Sequence, residues 1–188
     1  MSVDMLEEWL QIAEEEGYVK PTVYQGQYNL LCRTYEATLF PLLRKHDISF
    51  VAFSPLAGDF LTGKLTLSNG PEDLQGTRFQ VSDTNFGGMR YRGFYDKAAM
   101  HEALQKAAPV CTAHGVGLFE AALRWLLYHS CLDSDRGDCI IIGSSRISQI
   151  DSYVKARSAG PLQEELAKDL DALCDNQVEE AAGPIVTY

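Results

Sequence analysis

Ile48-Ser49-Phe50-Val51-Ala52-Phe53-Ser54-Pro55-Leu56-Ala57-Gly58 is the stretch on which the fold of this 188-residue chain turns. Ile48 to Phe53 is a short apolar run closed by Ser54-Pro55, so it reads as a buried strand. The residues after it matter as much. Ser54, Ala57 and Gly58 are small, which lets a ligand approach the backbone amides, and Lys64 adds a positive charge.

Working outward, two more short strands flank this one. Thr22-Val23-Tyr24-Gln25 follows Pro21, and Cys139-Ile140-Ile141-Ile142 ends at Gly143-Ser144-Ser145. Helices fill the remainder. Over 3–16, Val3, Leu6, Leu10 and Ala13 share one stripe, with Asp4 and Glu7 spaced as a capping box and Gly17 placed as the stop. Further helices are predicted over 35–46, 94–108, 117–130, 148–158 and 161–176. From Gly58 to Gly93 no period is visible, and a connection that long is functional or mobile. Val178 to Tyr188 shows little periodicity. The order predicts an α/β fold of βα units, with a parallel sheet covered on both faces. Three strands are few for such a fold, and they leave two unpaired edges.

Composition narrows the partners. Apolar residues make up 46% and charged residues 22%, ordinary values for one folded domain over 1–188. The formal charge of −10 argues against a nucleic-acid backbone or an anionic membrane. No apolar run approaches the roughly 20 residues needed to cross a bilayer. The start of the chain carries Asp4, Glu7 and Glu8 rather than a secretory signal, and five cysteines lack C-x-x-C spacing. A cytoplasmic protein with reduced thiols is expected. The histidines, His46, His101, His114 and His129, do not fall at zinc-ligand spacing with those cysteines, so no metal site is expected. Trp9 and Trp125 read as packing residues, and Arg90-Tyr91-Arg92 as a solvated loop.

Pro21-Thr22-Val23-Tyr24-Gln25-Gly26-Gln27-Tyr28-Asn29 and Phe53-Ser54-Pro55-Leu56-Ala57-Gly58-Asp59-Phe60-Leu61-Thr62-Gly63-Lys64 closely resemble two strand-end motifs of aldo-keto reductases. Ile142-Gly143-Ser144-Ser145, followed by Gln149-Ile150, resembles a third. The likeness is to the aflatoxin-aldehyde-reductase branch and its fungal relatives, and it covers nearly the whole chain. It implies a partial TIM (β/α)8 barrel, with the three strands as the sixth to eighth and the opening helix as the one after strand five. The family's catalytic Asp, Tyr, Lys and His lie on strands one to four, so the resemblance implies that this chain lacks them. Tyr24 and Tyr28 belong to strand six and its exit and are no substitutes. The expected length of such a barrel, about 250 residues, makes this chain a little over half of one.

The same resemblance implies an NADP(H) site. It assigns Gln25 to the nicotinamide carboxamide, which an amide suits because it donates and accepts. Phe53 takes the position whose ring stacks on the nicotinamide. Ser54, Leu56, Gly58 and Lys64 fall where the pyrophosphate is met, and Arg78 is a candidate clamp. Gly143, Ser145 and Gln149 fall at the adenosine 2′-phosphate, around a helix N-terminus that attracts anions. Arg146 supplies the basic residue there, one position from its usual place. Ser152 and Tyr153 stand where the family holds adenine with an acidic residue and Asn, and Gly183 to Tyr188 differ from the family's pocket-lining end.

The resemblance implies NADPH-dependent reduction of a small-molecule carbonyl, an aldehyde or ketone, to an alcohol, with the fungal relatives pointing to a secondary-metabolite pathway. The alternative is a catalytically inactive remnant or a regulatory or scaffolding NADP-binding protein. Exposed strand edges imply a homo-oligomer or an N-terminal half supplied separately.

Overall fold

One sheet of three parallel strands runs through the described residues, ordered β1 (Val23–Gln27), β2 (Ser49–Phe53), β3 (Cys139–Ile140). The structure is a computed structural model and describes residues 2–80 and 86–183. Register pairs Gln25 with Val51 and Gln27 with Phe53, while β3 meets β2 only through Val51–Cys139 and Ala52–Ile140.

Among the described residues, one face of the sheet is covered and the other is open except at Gln27, which is buried. Tyr24, Gly26, Phe50 and Ala52 are buried, whereas Val23 and Gln25 on the opposite face are exposed and Ser49, Val51 and Phe53 are half-buried. The expectation of helices on both faces is therefore corrected. The reason is topological: strand order follows chain order without reversal, so successive right-handed crossovers lie on the same side of the sheet. The result is a small parallel sheet flanked by helices, a barrel-like arrangement that does not close.

Beneath the covered face, Tyr24, Tyr28, Tyr35, Phe40 and Phe50 pack edge-to-face or stacked, and Trp125 joins them 6.2 Å from Tyr28. Gly26 is required by this packing. A Cβ there would lie 2.8 Å from the Phe50 ring and 2.9 Å from Tyr35.

The helical elements follow the sequence pattern with informative departures. α1 (Val3–Glu15) buries Leu6, Leu10 and Ala13, but its cap is Ser2, whose hydroxyl accepts from the Met5 N–H at 3.3 Å, not Asp4. Gly17 ends the helix at φ +69°, which lets the Tyr18 N–H reach the Ala13 carbonyl. The helix expected over 35–46 is a 3-10 turn, Thr34–Glu36, then α2 (Leu39–Lys45). Tertiary bonds hold the break: the Glu179 carboxylate accepts from the Thr34 N–H at 2.7 Å, and Arg33 binds Glu36 and Asp171.

The long connection after β2 is more structured than its lack of period suggests. It contains 3-10 turns at Ala57–Thr62 and Pro71–Leu74 and the helix α3 (Phe86–Tyr95), with residues 81–85 outside the described set. Leu61, Leu65, Leu74 and Phe79 are buried one at a time, so no stripe marks them.

The helix expected over 94–108 is displaced to α4 (Ala98–Ala113), because Phe94 and Tyr95 close α3. α5 (Leu118–Tyr128) and α6 (Ile147–Ser158) fall where periodicity places them. The helix expected over 161–176 is α7 (Glu164–Leu173), and a further helix, α8 (Asn176–Ala182), forms in the tail where no period is visible, with Asp175 capping it by accepting from the Gln177 N–H. Trp125 is core, while Trp9 is 46% exposed and is not the packing residue its spacing suggests. No helix among the described residues is long and apolar enough to cross a membrane. Residues 184–188 of the divergent tail lie outside the described residues.

Candidate functional site at the carboxyl ends of the strands

Because all three strands run one way, the segments leaving Gln27, Phe53 and Ile140 emerge at one edge of the sheet. Ligands of parallel α/β sheets bind at that edge. Two buried side chains tie the β1 and β2 exits to their surroundings. Asn29 donates from Nδ2 to the Ser54 carbonyl at 3.0 Å, while its Oδ1 accepts from the Leu31 and Cys32 N–H groups. Gln27 donates to the Tyr95 hydroxyl at 2.7 Å and lies 3.3 Å from Cys32 Sγ. Burial pushes the Tyr95 hydroxyl and the Cys32 thiol well above their ordinary pKa values, so both stay protonated at neutral pH.

The backbone after β2 is unusual. Ser54, Ala57, Gly58 and Asp59 have φ of +54°, +51°, +63° and +80°. Three of these are not glycine, a conformation that costs energy and clusters at ligand sites. Gly58 is the fixed point, since a Cβ there would lie 2.5 Å from the Tyr91 ring. Tyr91 in turn accepts from Arg78 Nη1 at 2.6 Å. Arg78 also reaches the third motif: its Nη2 would be 3.8 Å from a Cβ built on Gly143. The loop arginine is therefore bonded to Tyr91 beside the Gly58 turn and lies close to the Gly143 turn.

Around the β3 exit, polar groups are open. Ser145 is exposed and Gln149 half-buried. Gln149 Oε1 accepts from the Ser145 N–H at 2.8 Å, the Ser145 hydroxyl at 3.2 Å and the Arg146 N–H at 3.2 Å. One amide oxygen thus gathers donors at the head of α6, a position suited to an anion. Ser144 Oγ is buried with no hydrogen-bond partner among the described residues. Nearby, burial raises the Tyr153 phenol to about 12; Asp59 pushes the same way and Arg78 opposes.

Gln25 and Phe53 both lie on the open face of the sheet. Gln25 is exposed in mid-strand, and Phe53 ends β2 half-buried, with its register partner Gln27 beside it. Leu56 is buried in the turn, whereas Lys64 is exposed at the end of it. The structure thus brings Ser54, Leu56, Gly58, Arg78 and Gly143 to one edge, with Ser145 and Gln149 adjoining.

The sequence reading passed over Gln27, Asn29 and Tyr95, and its solvated loop at Arg90-Tyr91-Arg92 is corrected: the triplet lies within α3, with Tyr91 half-buried against the Gly58 turn. Gln27 and Asn29 continue the alternation of Gln25, a signal that was available. Tyr91 and Tyr95 are spaced i, i+4 on α3 and show their role only once that helix is folded over the turn. Tyr28 is engaged structurally: its hydroxyl donates to Glu36 at 2.8 Å and accepts from the Cys131 N–H at 3.1 Å.

At the opposite end of the sheet, Asp138 pins β3 to β2. It accepts from the Phe50 N–H at 2.7 Å, from the Asp133 N–H at 2.9 Å, and from Arg44. Burial works to raise its pKa, but the Arg44 guanidinium and the two amides outweigh it and hold the carboxyl below the usual range.

A small parallel sheet flanked by helices, with strained turns and an arginine at its carboxyl edge, is an unclosed, barrel-like α/β arrangement, and comparison with known proteins specifies its family. Residues 3–175 match the aldo/keto reductase family model, and the chain belongs to this family. It is 38% identical over 84% of its length to an aldo-keto reductase of Pseudocercospora fijiensis and 36% identical over 90% to the oxidoreductase sirO of Leptosphaeria maculans. It is also 36% identical over 85% of its length to aflatoxin B1 aldehyde reductase member 2 of Mus musculus. These matches cover 52%, 50% and 44% of the relatives, so the chain spans about half the length of the curated relatives it matches.

Proposed function

We propose that this chain provides the NADP(H)-binding side of an aldo-keto reductase, its strands corresponding to the sixth, seventh and eighth of the family's barrel. The observation that carries this reading is the convergence of Arg78 on Gly143 and on the Tyr91–Gly58 contact, which draws the second and third motifs together. The residues present fit such a cofactor. The orphaned Ser144 hydroxyl and the donors at the head of α6 suit a phosphate. The Ser54–Asp59 turn offers backbone to the pyrophosphate, Arg78 and Lys64 supply charge, and Phe53 with Gln25 offers a ring face and an amide to the nicotinamide.

When bound, the cofactor supplies the reducing equivalent for conversion of an aldehyde or ketone to an alcohol. The chain's own contribution is to hold and orient it. The family's Asp, Tyr, Lys and His have no counterparts at the motif-matched positions, so a proton donor must come from outside these residues. The three tyrosines of the site region whose pKa is perturbed, Tyr28, Tyr95 and Tyr153, are all shifted upward, the wrong direction for a donor near neutral pH. Free thiols and an acidic chain support a cytoplasmic setting, and a secondary-metabolite context rests on the motif resemblance alone.

The test is NADPH titration by fluorescence, followed by aldehyde-dependent NADPH oxidation. NADPH is expected to bind more tightly than NADH, and Arg78→Ala is expected to weaken binding by roughly tenfold, a loss of about 1.4 kcal/mol. Absence of NADPH binding to the folded chain overturns the reading. Binding without turnover is the outcome expected of a chain that holds the cofactor but lacks the proton donor, and turnover by the chain alone would show that a donor lies within it.

A further inference from the structure

By its own sequence α3 is a poor helix. It spans ten residues, and three of them, Gly87, Gly88 and Gly93, are glycine, which weakens a helix relative to alanine. A helix this short is marginal in water even without them. Tertiary contacts therefore decide where α3 sits, and these contacts are of two kinds.

The first kind is aromatic. Tyr95 stacks on Phe60 with ring centroids 6.1 Å apart, and Phe79 meets Phe60 at 6.1 Å and Tyr91 at 6.4 Å, both edge-on. These rings keep α3 against the turn after β2, but apolar burial is non-directional and leaves the helix free to slide. The second kind is directional. Gln27 Nε2 donates to the Tyr95 hydroxyl at 2.7 Å, and both residues are buried, so water does not compete for the bond. One turn back on the same face, the Tyr91 ring covers Gly58 and its hydroxyl accepts from Arg78 Nη1 at 2.6 Å. The next residue, Arg92, donates from Nε to the Phe79 carbonyl at 2.9 Å. One end of α3 is thus fastened to the last residue of β1, while the turn before it holds the side chain of Arg78 and the backbone beside it.

We propose that Tyr95 is a positioning residue for Arg78: bonded to Gln27, it fixes α3 against the sheet, and α3 in turn holds the Arg78 guanidinium beside the Gly143 turn. The inference rests on the reading of Arg78 as a cofactor clamp. It also couples the two ends of that site. Gln27 lies two residues beyond Gln25 on β1 and pairs in register with Phe53, so a displacement at the ring-and-amide end is carried through one helix to the phosphate end.

The test is a double-mutant cycle on NADPH binding, read by nicotinamide fluorescence. Tyr95→Phe keeps the ring on Phe60 and removes only the hydroxyl. It is expected to weaken NADPH binding about fivefold in the wild-type background and less than about 1.5-fold beside Arg78→Ala, because its effect runs through the arginine. Gln27→Leu removes the other half of the bond and is expected to match Tyr95→Phe and to add nothing to it. A second readout needs no cofactor: the guanidinium protons of Arg78, followed by nitrogen-15 NMR, are expected to exchange about tenfold faster in Tyr95→Phe. An unchanged NADPH affinity in Tyr95→Phe overturns the proposal. Equal losses with and without Arg78 also overturn it, since they mark a general loosening of the fold. A wild type that binds no NADPH overturns the cofactor reading, and the Arg78 exchange rate then decides the positioning role by itself: unchanged exchange overturns it, faster exchange upholds it.

Discussion

The junction between β1 and β2 and the segment from β3 into α6 are built from similar residues but put them to different use. Five residue pairs join β1 to β2, and the polar side chains at their exits, Gln27 and Asn29, are buried and engaged. Two pairs join β3 to β2, and beyond them Gly143, Ser145 and Gln149 face outward or nearly so. At the first junction, buried hydrogen bonds are committed to holding the backbone. At the second, the donors at the head of α6 are satisfied only by a neighbouring Gln side chain, which a stronger anionic acceptor can displace. The contrast separates a committed scaffold from an open, polar surface, the one to which the proposed function gives the cofactor.

The comparison is broken most severely at the two pins. Arg44→Ala leaves Asp138 charged and buried, and is expected to cost about 3–4 kcal/mol in urea unfolding. Asn29→Ala frees the Leu31 N–H and removes one of two bonds at the Cys32 N–H and at the Ser54 carbonyl, at an expected cost of about 2–3 kcal/mol. Gly58→Ala adds strain at positive φ to a collision with Tyr91, and a loss of about 1–3 kcal/mol is expected. Tyr91→Ala in the same chain should recover the collision part only, as a double-mutant cycle will show. Gln149→Ala is expected to cost about 1 kcal/mol or less, read as faster amide exchange confined to the head of α6. An effect as large as that of Asn29→Ala would show that the β3 exit is also scaffold.

Acid response sharpens the same contrast. The Asp138 carboxyl titrates below its ordinary value, so its stabilisation is present above the unfolded pKa of about 3.9 and is lost as pH falls through the lower native value. Asp138→Asn should remove that acid limb from the stability profile. Glu179 has the opposite sign: burial raises its pKa, with the Thr34 and Arg33 amides opposing, so its contribution is present below about pH 4.3 and lost as pH rises through the native value. Glu179→Gln should flatten that second dependence, measured by thermal unfolding across pH.

The strands were legible because each combines an apolar run with a breaker, as Phe53-Ser54-Pro55 shows. α1 and α5 were legible because one face of each is buried, which stamps a helical period on Leu6, Leu10 and Ala13 and on Ala121, Ala122 and Trp125. The region after β2 was not, since its buried residues belong to separate short turns. The break before α2 was equally hidden, because Glu179 caps it from the other end of the chain. In the site, Arg78 was visible as a charged residue in a loop, but its approach to Gly143 spans residues far apart in sequence.

By itself the sequence determined the α/β class, the three strand-end motifs and the residue types at the carboxyl edge of the sheet, because these depend on local pattern and backbone chemistry. Only the tertiary structure decided that one face of the sheet lies open, that Asn29 and Asp138 are the pins, and that Arg78 lies close to two motifs. Those outcomes depend on crossover handedness and on contacts between distant segments, which local pattern does not carry.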